Sequence, residues 1–94
     1  MGQVTFTTSY SGGDGNLDIS FDNSSDELHL NQFSTMGTVT LPVGDNVYTV
    51  SGNSPNGEGG NLHLKITGDI LSEINKDFSP GLIDSSDFTV VVTS

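Results

Sequence analysis

Leu17-Asp18-Ile19-Ser20-Phe21 alternates apolar and polar side chains at every step. A period of two puts the three apolar residues on one face of an extended strand, whereas a helix would scatter them around its axis. The same alternation recurs on both sides of this stretch. Val4, Phe6 and Tyr10 precede it, separated by the Gly-rich turn SGGDGN at 11–16. NSSDE at 23–27 follows as a turn and leads to Leu28 and Leu30. Beyond STMG lie Val39, Leu41 and Val43, then a tight Gly44-Asp45-Asn46 turn into NVYTV, which ends at Val50. Leu62, Leu64 and Ile66 come after the loop GNSPNGEGG, and Phe88, Val90 and Val92 close the series. About seven short strands at this spacing predict an all-β, two-sheet antiparallel β-sandwich of immunoglobulin-like architecture.

Residues 69 to 87 break the rhythm. Ile70, Leu71, Ile74 and Phe78 fall at helical spacing behind Asp69, a suitable N-cap, with Glu73 and Asp77 on the opposite face. One short helix or helical turn is therefore expected near residues 70–78. The alternative is an extra edge strand over residues 70–74.

An internal echo links two distant segments. SGGDGNLDISF at 11–21 and SGNSPNGEGGNLHLKI at 51–66 both open on Ser-Gly, pass through a Gly-rich loop and resume with Gly-Asn-Leu. A duplicated half-domain would produce this, and so would two hairpins with the same turn requirement.

The length of 94 residues fits a single domain spanning 1–94. Leu, Ile, Val and Phe supply 26 residues and Ser, Thr, Asn and Gly supply 43, while Ala, Arg, Cys and Trp are absent. Losing Ala removes the best helix former, and the abundant small polar residues favour strands and turns. Without cysteine there is no disulfide, so packing alone must offset chain entropy. The formal charge of -10, from twelve Asp and Glu against two Lys, disfavours nucleic acid and anionic membrane as partners. No apolar run reaches membrane-spanning length, so no membrane insertion is expected. The start MGQVTFTTSY lacks the basic flank and apolar centre of a signal peptide, yet Met1-Gly2 also fits a start placed on a mature exported domain.

If successive strands alternate direction, the loops around residues 11–16, 34–36 and 52–60 gather at one end of the sandwich, where such scaffolds bind ligands. Asp14, Asn16, Asn53, Asn56 and Glu58 are the candidate ligand contacts there. Asp14, Asn16 and Asp18 read as D-x-N-x-D, resembling the opening of an EF-hand calcium loop. The pattern fails afterwards, because Ile19 and Ser25 occupy its Gly and Glu positions. These three, with Asp22, Asp26 and Glu27, make up the candidate calcium ligands. His29 and His63 each sit inside Leu-His-Leu and are expected to face solvent. No GxSxG elbow or nucleophile–base spacing occurs, so no catalytic residue and no enzymatic activity is expected.

The general pattern is similar to small sandwich modules of secreted bacterial proteins. It implies a non-catalytic module, extracellular or exported, with a structural or adhesion role toward a protein partner. A second expectation is a loop-based module for carbohydrate or another small ligand, assisted by calcium. A third is an acidic inhibitor or immunity-type protein that neutralises a basic target. No cofactor other than calcium is implied. The exposed edge FTVVVT at 88–93 leaves the choice between a monomer and an edge-paired dimer.

Overall fold

The computed structural model describes residues 1–94 and contains strands only. They are β1 (Gly2–Ser11), β2 (Asn16–Phe21), β3 (Ser24–Asn31), β4 (Met36–Leu41), β5 (Gly44–Ser54), β6 (Asn61–Gly68), β7 (Ile74–Phe78) and β8 (Gly81–Val92). Two antiparallel four-stranded sheets face each other, one ordered β4-β1-β6-β7 and the other β3-β2-β5-β8. The likeness to immunoglobulin domains lies in this two-layer architecture. The connectivity differs, because β1 and β2 lie in opposite sheets here, whereas the first two immunoglobulin strands are sheet neighbours.

Alternation drives the assembly. Leu17, Ile19 and Phe21 of β2 turn inward against Val4 and Phe6 of β1, Val39 and Leu41 of β4, and Leu62, Leu64 and Ile66 of β6. Tyr48, Val50, Val90 and Val92 complete the middle of the core. The Phe6 ring meets Phe21 and Tyr48 edge-on, with centroids 5.4 and 5.6 Å apart, a favoured aromatic arrangement.

The expected helix near 70–78 is absent, and strand β7 takes its place. Ile74, Lys76 and Phe78 alternate toward the interior, while Asn75 and Asp77 face outward. β6 offered an unpaired edge to this segment, and five cross-strand residue pairs, from Ile66–Ile74 to Leu62–Phe78, satisfy it. Nine residues without Ala had little intrinsic helicity with which to compete. An edge strand does form, at 74–78 rather than 70–74, and the chain has eight strands rather than about seven.

The sequence echo has a structural counterpart. Replacing β1, β2, β3 and β4 by β5, β6, β7 and β8, and the reverse, converts the order of one sheet into the reversed order of the other. The strand registers agree with this exchange. Phe6 corresponds to Tyr48, Asp18 to His63, His29 to Asp77 and Val39 to Val90. Each half therefore carries one Asp–His cross-strand pair with the two residue types exchanged. The corresponding connections of the two halves differ in length, most of all at one of them. Between β2 and β3 the chain turns through Asp22 and Asn23 alone, whereas the β6–β7 connection contains a strap, Asp69–Leu71, that crosses to the other sheet. There Leu71 N–H donates to Val91 O and Thr93 N–H donates to Asp69 O, each at 3.0 Å, and Ile70 bridges Val92.

Candidate functional site

The loop end is built by β-strand endings and fastened by backbone contacts. Gly57 N–H donates to Gly12 O at 2.8 Å, and the Ser11 hydroxyl donates to Gly59 O at 3.2 Å, so the 12–15 and 55–60 loops hold each other. A Cβ on Gly57 would strike the Gly12 carbonyl oxygen, and one on Gly52 would strike that of Asn16, which explains glycine at both positions. Beside these loops, the β3–β4 turn is shaped by Asn31. Its Oδ1 accepts the backbone N–H of Phe33 at 2.8 Å and of Ser34 at 3.0 Å, an Asx turn.

Between the two lies an open cleft of about 360 Å³, lined by Asp14, Gly15, Asn16, Asn31, Gln32, Phe33 and Asn53. That volume falls inside the usual range for small-ligand sites. Phe33 is 91 % exposed. It sits on a turn whose backbone is fixed, so the sequence spends a large aromatic on the surface without gaining core area. Asn53 Nδ2 donates to Asn16 Oδ1 at 3.3 Å across the paired β2 and β5 strands, which orients both amides.

The structure thus brings Asp14, Asn16 and Asn53 together and leaves Asn56 and Glu58 outside the cleft, exposed on the 55–60 loop. Sequence reasoning missed Asn31, Gln32 and Phe33. The available signal was an aromatic placed among amides in a turn, Asn31-Gln32-Phe33-Ser34.

The candidate calcium ligands separate. Asn16 and Asp18 lie on extended β2, not on a loop that curls around an ion, and the Asp18 carboxylate faces the outer surface of its sheet, against His29. Glu27 shares a smaller hollow of about 180 Å³ with Asp18, Thr49 and Ser51. Asp22 and Asp26 are exposed near the opposite end of the sandwich. No three of the His, Asp and Glu side chains form a group fitted to hold a metal ion.

His29 and His63 lie on opposite sheets and do not meet. Asp18 Oδ1 contacts His29 Nδ1 at 2.8 Å, and this hydrogen bond with the adjacent charge raises the imidazole above its ordinary 6.5. Around His63, Asp77 Oδ1 meets Nδ1 at 2.8 Å and Asn75 Oδ1 meets Nε2 at 3.0 Å. Asn75 Nδ2 donates to Glu73 at 2.9 Å, which holds its oxygen toward the ring. With acceptors at both nitrogens the doubly protonated ring is favoured, so His63 is also raised, chiefly by Asp77. Asp77 is correspondingly lowered, first by the Asn61 amide and then by His63.

No protein-family model, curated protein or solved structure matches the chain.

Proposed function

We propose that this protein is a non-catalytic interaction module of extracellular type that binds carbohydrate, or a small ligand of similar polarity, in its loop-end cleft. The observation that carries the reading is Phe33, a bare ring held on a fixed turn above a cleft lined by three asparagines, a glutamine and an aspartate. Amides and a carboxylate offer both donors and acceptors to ligand hydroxyls, while the ring packs against a C–H face. The cleft lining contains no His, Ser, Lys or Tyr, and Asp14 is its only acid, so it has no nucleophile–base pair from which to build a reaction. A lone carboxylate is a poor basis for a calcium-bridged sugar.

A glycan array run with and without chelator tests this directly. A defined set of glycans bound equally in both arms is expected, and silence in both arms overturns the reading. With a glycan identified, Phe33→Ala is expected to weaken binding by roughly tenfold or more, about 1.4 kcal/mol. Its melting temperature should be unchanged, because the ring contributes nothing to the core.

A further inference from the structure

We propose that the outer edge of β4 is a docking edge for a second copy of this chain, joined by antiparallel β4–β4 pairing that merges two four-stranded sheets into one of eight. The sandwich has four edge strands, and three of them are protected. β3 carries Asp26 and Glu27, β7 carries Lys76 and Asp77, and β8 carries Asp84 and Asp87, charges of the kind that natural sheets place on edges to prevent pairing. β4 carries none. The sequence from Leu30 to Gly44 has no charged residue, in a chain with a formal charge of -10.

The internal repeat strengthens the contrast. The counterpart of β4 is β8, and the edge of β8 at residues 91–93 is taken by the strap at Asp69–Leu71 through two main-chain hydrogen bonds. In the first half the equivalent connection is only Asp22–Asn23, which is too short to reach β4. The fold therefore covers one of two corresponding edges with its own extended backbone and leaves the other bare. The strap covers residues 91–93 of the expected FTVVVT edge, which leaves β4 the freer of the two.

A second copy fits this edge without further design. Inward and outward residues must keep their faces on pairing, so a two-fold register centred on Val39 sets Thr38 of each copy opposite Thr40 of the other. Both threonines are exposed, and Thr38 already shares a hydroxyl contact with Thr5 at 3.0 Å. The same register carries Met36, 63 % exposed, to Pro42 and Val43 of the other copy, where Val43 is 60 % exposed. Both ends of the seam are thus closed by apolar contact. An edge without charge offers nothing for a basic or acidic partner to complement, and two identical neutral edges bring no like charges face to face.

Sedimentation of the full chain up to about 1 mM tests the proposal, since a six-residue seam belongs among weak, small interfaces. A monomer–dimer equilibrium is expected, and it should tighten with added salt as repulsion between two acidic bodies is screened. The double variant Thr38→Glu/Thr40→Glu, which sets like charges opposite each other, should weaken association at least tenfold. Ser85→Glu, on the edge of β8, should leave association intact. Circular dichroism should show both variants folded. A monomer at every concentration overturns the proposal, as does a dimer indifferent to the β4 charges or equally weakened by Ser85→Glu.

Discussion

Tyr48 shows how a single atom can be at odds with its surroundings. The ring is fully buried and packs edge-on against Phe6, but its hydroxyl finds no hydrogen-bond partner in the protein. Burial alone pushes its pKa up to about 12. An unpaired buried hydroxyl costs more than it returns, so Tyr48→Phe is expected to raise stability by about 1 kcal/mol in a thermal or urea melt. Phe6, its counterpart in the other half, already has the bare ring that this substitution would create. Lys76 is a second residue whose behaviour its type conceals. It points inward from β7 and sets its ammonium 4.0 Å from the Phe88 ring centroid, a cation–π contact between sheets.

At the scale of elements, Asn46 joins two turns at the end opposite the cleft. It is almost fully buried, and its Nδ2 donates to Pro42 O at 2.8 Å and Gly44 O at 3.0 Å while its Oδ1 accepts from Asn23 at 2.9 Å. The β4–β5 and β2–β3 turns are therefore held by one amide. Asn46→Ala removes three hydrogen bonds, two to turn carbonyls and one from the Asn23 amide, and should cost about 2–3 kcal/mol in a urea melt. Strands β2, β5, β6 and the second half of β8 were legible in the sequence because strict alternation admits one reading. β7 was not. Ile70, Ile74 and Phe78 are spaced by four, which satisfies a helix and also falls on one parity of a strand; the inward position between Ile74 and Phe78 that would have decided the matter is Lys76. Asp14, Asn16 and Asn53 were legible as one loop cluster, since strand alternation alone sends those loops to a common end. Phe33 was not, although the tight β2–β3 hairpin brings its turn to the same end, because an aromatic side chain is ordinarily a core residue and its exposure follows from the Asx turn at Asn31.

The whole molecule measures 40 × 20 × 20 Å, with acids spread over its surface and the two Asp–His pairs on opposite faces. Those pairs give the fold a defined response to pH. Both imidazoles are raised above 6.5 on folding, so their contribution is complete below about pH 6.5 and lost as pH rises through the higher folded values. Asp77, lowered from 3.8, adds stability above that pH which disappears only in stronger acid. Protonating both rings also changes the formal charge from -10 to -8, which relieves self-repulsion in the same direction. The melting temperature should fall modestly between about pH 6 and 8.5, the change being small because the rings face solvent. His29→Gln/His63→Gln should flatten that slope.

Asp69 also closes the chain into something near a ring. Gln3 N–H donates to its Oδ2 at 2.9 Å, its own N–H donates to Gln3 O at 3.0 Å, and Thr93 N–H donates to its carbonyl. Gly2 and Ser94 are in contact, and β1 runs from them along the body to the pole that holds the cleft. Tension applied through the two ends would meet at the Asp69 clasp and bypass the sandwich, peeling the terminal residues apart before any sheet is sheared. Spliced into a longer polypeptide, the body would hang from the main strand as a pendant, with Phe33 at its far tip.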